Sequence, residues 1–181
     1  STPPTISSMD DISLEAKSPS QNLVTLTIPE IYDEVGVMSV TNDAPEVFPL
    51  GETIVTWTAT DIIGNVSNLN QSIILVDSTA PRIAFSEDLI IEASSLDENQ
   101  IELVIPEAFD DVEIMSITND APEVFPLGDT IVTWTVTDSS GNSSSQSYTI
   151  TFVDTVIPEI IISDQTFEAT ISNGTNISLE L

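Results

Sequence analysis

Apolar side chains recur at every second position through much of this chain. In residues 130–137, Val132, Trp134 and Val136 fall on one face and Thr133, Thr135 and Thr137 on the other. Period two with β-branched residues is the mark of a strand with one buried face. Val55, Trp57 and Ala59 repeat the pattern, as do Tyr148, Ile150 and Phe152 between Thr149 and Thr151. Three further rows are expected to point inward: Val24, Leu26, Ile28; Ile101, Leu103, Ile105; and Ile177, Leu179, Leu181. No segment carries a helical period. Turn chemistry separates the rows, at Asp61-Ile62-Ile63-Gly64-Asn65, Asp138-Ser139-Ser140-Gly141-Asn142, Pro49-Leu50-Gly51 and Pro126-Leu127-Gly128. Glycine admits positive φ, and Asp or Asn bonds to its own backbone in such turns. Short strands with regularly spaced turns predict an all-β fold, a sandwich of about seven strands.

The pattern occurs twice. Met38 to Asp61 and Met115 to Asp138 are nearly the same text. One offset carries Pro4 onto Pro81, Trp57 onto Trp134 and Asp61 onto Asp138. A constant offset without gaps means tandem copies of one folding unit. The expected units are residues 1–78, 79–155 and the beginning of a third, 156–181. The third is read either as a window onto a longer array or as a strand-donating stub, because a lone strand pair is not stable by itself.

The order of landmarks carries a family resemblance. A Pro opens each copy; Phe-Pro-Leu-Gly, Thr-x-x-Trp-Thr-x-Thr-Asp-x-x-Gly-Asn and an alternating last strand follow. This resembles the hyalin repeat, a module of extracellular and cell-surface proteins. The resemblance implies tandem immunoglobulin-like antiparallel β-sandwiches, adhesion or architecture, and no catalytic site. Paired cysteines, common in animal hyalin repeats, are absent here. That absence, with the acidity and the many sequons, is closer to prokaryotic surface proteins, notably archaeal surface-layer or filament proteins.

Composition narrows the function. Thirty acidic residues face only Lys17 and Arg82, for a net charge of −28, and there is no histidine or cysteine. Such a surface repels nucleic acid and anionic membranes and gathers cations. The apolar periodicity excludes a disordered acidic tail. No apolar run is long enough to span a bilayer. Catalytic triads are impossible without His or Cys, no phosphate-binding glycine loop occurs, and Asp110-Asp111 lie adjacent in a loop rather than across a cleft. Trp57 and Trp134 share the inward phase and belong to the core rather than to a sugar-stacking surface.

The acidic residues do suggest a cation site. In an immunoglobulin-like sandwich the linker and two loops meet at the leading end of each domain. For the second repeat these would bring together Asp77 of the linker, Asp110 and Asp111, Asp138 with the carbonyls around Gly141, and Glu52 from the repeat before. Asp154 and Asp129 would serve the next junction, and Asp33, Glu34 and Asp61 would await a linker aspartate from a preceding repeat. Calcium takes six to eight oxygens of this kind, whereas magnesium keeps more of its water. The bland alternative is that Asp138-x-x-Gly141-Asn142 is a hairpin turn with no metal and the other acids are simply solvated.

Five Asn-x-Ser/Thr sequons, at Asn65, Asn70, Asn142, Asn173 and Asn176, are candidate N-glycosylation sites, against the alternative of unmodified asparagines. The reading from sequence is therefore a structural segment of an extracellular surface layer, filament or stalk. Divalent cations would stiffen it, and its partners would be neighbouring copies or further repeats, with N-glycans on its surface. The alternative is an adhesion module that binds a protein or glycan through loops such as the one carrying Ile62 and Ile63. A weaker idea is an acidic coat that concentrates cations.

Overall fold

The computed structural model describes residues 2–84 and 87–161. Its described residues form strands and loops with no helix. The first repeat holds β1 (Thr5–Ile6), β2 (Ile12–Glu15), β3 (Ile31–Tyr32), β4 (Val37–Asn42), β5 (Gly51–Asp61) and β6 (Val66–Val76). The second holds β7 (Arg82–Ile83), β8 (Leu89–Glu92), β9 (Ala108–Phe109), β10 (Ile114–Asn119), β11 (Gly128–Asp138) and β12 (Ser143–Val153). Every element of the second repeat begins at the position that the Trp57-to-Trp134 offset assigns to its counterpart.

Each repeat has one strong sheet and one thin layer. The strong sheets run β2-β6-β5-β4 and β8-β12-β11-β10. They are built on the long hairpins β5–β6 and β11–β12, closed by glycines at φ 95° and 93°, Gly64 and Gly141, where a side chain would strain the backbone. The alternating rows face inward: Val55, Trp57 and Ala59, then Val132, Trp134 and Val136, are all at most 4% exposed. The short edge strand pairs in parallel, β2 with β6 and β8 with β12, so these sheets are mixed rather than wholly antiparallel.

The opposing layer consists of β1–β3 or β7–β9 and a single bridge, Asn22 to Phe48 or Asn99 to Phe125. Its thinness has a simple cause. Only the short stretch 43–50 connects β4 to β5, enough chain for one bridge at Phe48 in the far layer but not for a full strand there. Ile28 and Ile105 depart from the expected inward row and are each 66% exposed. Val24 and Leu26, like Ile101 and Leu103, do pack on the cores. Two successive exposed residues then occur at Thr27–Ile28 and Val104–Ile105, ahead of Pro29 and Pro106. The phase slips by one there, and one slip moves every later side chain to the other face. The row Ile177, Leu179, Leu181 lies outside the described residues.

A buried asparagine closes the trailing end of each repeat. Asn99 Oδ1 accepts from Ser94 N (2.8 Å) and Ser95 N (3.0 Å), while its Nδ2 donates to Ser95 O (2.8 Å) and Phe125 O (3.0 Å). Asn22 does the same with Lys17 N, Ser18 N, Ser18 O and Phe48 O.

Candidate functional site

The junction between the repeats is where loops of different origin converge. Asp110 Oδ1 accepts from Val112 N (2.8 Å) and Glu113 N (3.2 Å), an Asx turn that fixes the loop before β10. Asp138 ends β11 and is fully buried. Its Oδ1 accepts from Ser140 N (2.9 Å) and Asn142 N (2.8 Å), and its Oδ2 from Asn142 Nδ2 (2.8 Å). Burial alone would raise this carboxyl's pKa. The hydrogen bonds from Asn142, Ser140 and Gly141 outweigh it and hold the group below the ordinary aspartate range. Asn142 Nδ2 also donates to Asp77 O (3.1 Å), tying the linker to the same turn.

Asp77 completes the group. Carboxylate oxygens of Asp77, Asp110 and Asp138 lie within 4.8 Å of one another. Asp77 Oδ1 accepts from Thr79 N (3.3 Å), whereas its Oδ2 is buried with no hydrogen-bond partner. Two ionised carboxylates at such a distance repel by roughly 3 kcal/mol at an effective dielectric of about 20. The linker is held close by Glu15, at the end of β2. Its carboxylate accepts from Ser78 Oγ (2.7 Å), Ser78 N (2.8 Å) and Thr79 Oγ1 (2.8 Å), which lower its pKa to about 2. Glu92 grips Thr155 in the same way at the end of the second repeat.

The other acids expected here go elsewhere. Asp111 turns to the first repeat and meets Lys17 Nζ at 3.1 Å, an exposed pair of small energetic weight. Glu52 Oε1 accepts from Ser72 Oγ (2.6 Å) across the β5–β6 hairpin, and Asp129 from Thr151 Oγ1 (2.7 Å). At the leading end of the first repeat, Asp33 and the buried Asp61 repeat the turns of Asp110 and Asp138, and Glu34 stands where Asp111 does; no third carboxylate among the described residues joins them. Asp154 bonds to Val156 N (3.2 Å). Sequence reasoning missed Glu15 and Glu92. Their matching places at the ends of β2 and β8, related by the repeat offset, were the available signal.

Of the sequons, Asn70 is exposed on β6. Asn65 Nδ2 donates to Asp61 Oδ2 (2.6 Å), and Asn142 Nδ2 is engaged twice, as above. Asn173 and Asn176 lie outside the described residues.

An apolar peg shares the joint. Val112, projected by the Asp110 turn, is 8% exposed and belongs to the core cluster of the first repeat with Ala16, Phe48 and Leu75. Its counterpart Val35 is 46% exposed. At the trailing end of the second repeat, Ala93, Leu96, Leu127 and Asp154 surround a hollow of about 220 Å³, the position equivalent to the one that receives Val112 in the first.

Comparison with known proteins agrees with the repeat structure. Residues 76–152 match the HYR domain. The first repeat has the same strands in the same order as this segment. The chain is 31% identical over 174 residues to hyalin of Strongylocentrotus purpuratus, covering 89% of the chain and 14% of that protein. It is 33% identical over 151 residues to hyalin of Lytechinus variegatus, covering 75% of the chain and 27% of that protein. The chain thus spans less than a third of either hyalin. These relatives are animal proteins, and the prokaryotic origin drawn from charge and missing cysteines finds no support in them. Among solved structures, two cadherin domains of human protocadherin-24 align with 86% of this chain and 100% of that one, at 12% identity and a TM-score of 0.38. No helix among the described residues is long and apolar enough to cross a membrane.

Proposed function

We propose that the chain is a segment of an extracellular, non-enzymatic array of adhesion-type modules, a stalk or filament whose joints are set by divalent cations. The observation that carries the reading is the meeting of Asp77, Asp110 and Asp138 from three separate segments, with Asp77 Oδ2 buried and unpartnered. The donor set is all oxygen and suits calcium. A carboxylate offers about four acceptor positions; Asp77 accepts one hydrogen bond and Asp110 two, so both retain capacity for an ion. A bound cation would remove the mutual repulsion and lock the linker against the second repeat. The peg of Val112 supports the same function by a different force, so that the joint is apolar on one side and ionic on the other.

The test is calcium titration of the 1–181 chain by calorimetry and by thermal melting. Binding of one ion at the junction, a higher melting temperature, and loss of both in Asp77→Asn support the reading. Unchanged melting and unchanged small-angle scattering on adding a chelator refute it. Adhesion through loops is a second reading, favoured by Ile62 and Ile63. They are 59% and 60% exposed where the second repeat has Ser139 and Ser140.

A further inference from the structure

The second repeat carries an open strand edge beside an apolar groove. Burial alternates from Asn99 to Val104: Asn99 is buried, Ile101 and Leu103 are half-buried, and Gln100, Glu102 and Val104 are exposed. The segment is thus extended, yet no hydrogen bond among the described residues involves the backbone of residues 100–106. Asn99 turns both backbone groups to Phe125. By the alternation of an extended chain, those of Gln100, Glu102 and Val104 face the opposite edge. An unpaired edge of this kind is a template for another strand.

The groove alongside has a volume of about 460 Å³ and is lined by Leu89, Ile101, Leu103, Val104 and Tyr148. Glu87 and Glu102 stand at its margin. Its inner wall differs from the first repeat at one informative position. There, Trp57 Nε1 donates to Gln71 Oε1 (3.1 Å), and Gln71 Nε2 donates to Asp10 O (2.9 Å). In the second repeat Tyr148 stands at the place of Gln71. Trp134 Nε1 is buried without a partner, in a residue only 4% exposed. A buried indole N–H ordinarily finds an acceptor.

We propose that this edge and groove bind an extended peptide of alternating apolar and basic residues, supplied by another protein. The peptide adds as a strand along Glu102 and Val104. Alternate apolar side chains enter the groove, and basic ones meet Glu87 and Glu102. Main-chain bonds give affinity in such strand addition, and the side-chain pockets give specificity. Charge selects the partner: a second copy of this −28 chain would bring like charge to the acidic margin, whereas a basic strand is attracted over the whole surface. Peptide binding here goes beyond the architectural role and does not require the calcium site.

The probe is a ten-residue peptide of alternating Val and Lys, titrated calorimetrically into the 1–181 chain in about 0.15 M salt, with Trp fluorescence read in a Trp57→Phe background. The control has the same composition with Val and Lys in separate blocks. One peptide should bind per chain and shift Trp134 emission, and the blocked control should bind at least tenfold more weakly. Val104→Pro removes an N–H that the free chain leaves unpaired, and Glu102→Lys reverses an exposed charge. Each should weaken binding about tenfold without changing the melting curve. Tyr148→Gln, the residue the first repeat uses, should weaken it similarly by removing the aromatic ring from the groove wall. Thr27→Pro, the equivalent position of the first repeat, should change nothing. Equal binding of both peptides, or affinity indifferent to Val104→Pro and Glu102→Lys, overturns the proposal by showing general attraction to an acidic surface. Pairing of this edge with a second copy instead of the peptide also overturns it.

Discussion

Val112 is covalently part of the second repeat but lies in the core cluster of the first, so truncating it should destabilise the neighbour. Val112→Ala removes two methyl groups from a side chain that is 8% exposed. At about 0.8 kcal/mol per buried methylene equivalent, the loss is roughly 1.5 kcal/mol before any cavity term. Val35→Ala is the internal control. It removes the same atoms from the equivalent position, where the side chain is 46% exposed, and its effect should stay within about 0.5 kcal/mol. Each repeat has one tryptophan, so the two unfolding transitions can be read separately in urea. Trp57→Phe reports the second repeat and Trp134→Phe the first. The expected result is that Val112→Ala lowers the midpoint of the Trp57 transition, although the substitution is made in the other repeat. Scattering should also show a wider spread of inter-repeat angles. If the Trp57 transition does not move, or Val35→Ala moves it as far, the peg contributes nothing and the inference from its burial is wrong.

Two further outcomes follow from the polar groups. Asn99→Ala strips partners from four backbone groups at a buried site and should cost about 3 kcal/mol, measured as a lowered urea midpoint of the second repeat alone. Glu15 has its folded pKa depressed from 4.5 to about 2, so its contribution is complete above pH 4.5 and lost as pH falls towards 2. The melting-temperature gap between the wild-type chain and Glu15→Gln should therefore be constant above about pH 5.5 and close below pH 4.5; a gap that widens with acid contradicts the assignment.

The strong sheets were legible in the sequence because period two, β-branched residues and Asp-x-x-Gly-Asn turns all point to one answer. Val132, Trp134 and Val136 are buried for the reason their spacing gives. The thin layer was legible in part, since Val24, Leu26, Ile101 and Leu103 pack inward as their spacing says. Ile101, Leu103 and Ile105 read as one row, but no hydrogen-bonded neighbour among the described residues holds register across Val104–Ile105, and a row without a ladder can slip. At the junction, Asp77, Asp110 and Asp138 were found because the turn grammar and the fold's connectivity constrain them strongly. Glu52 and Asp111 were assigned by nearness to a loop, and each took a nearer donor, Ser72 and Lys17. Glu15 was missed because an acid on a strand end carries no motif. The peg was missed because one valine in a loop carries no signal until its twin, Val35, is seen exposed.

The differences between the copies say more about function than their likeness does. The shared block from Met115 to Asp138 builds most of β10, the connection 120–127 and β11, and changes there would damage the sheet itself. Divergence instead falls where the fold permits it. Tyr148 stands where the first repeat has Gln71, so the second core lacks the two-bond relay, the tyrosine lines a groove and Trp134 Nε1 is left unpaired. Ile62 and Ile63 have become Ser139 and Ser140 at the loop that, in the second repeat, belongs to the joint with the first. A repeat that served only as a spacer would gain nothing from an orphaned indole, since the missing bond costs stability and the glutamine solution is present at the matching position of the first repeat. The exchange instead places an aromatic ring in the wall of the groove that the peptide proposal uses. The first repeat exposes apolar surface at its leading loop while the second exposes a groove along its side, so under the two binding readings proposed above the copies would make different contacts.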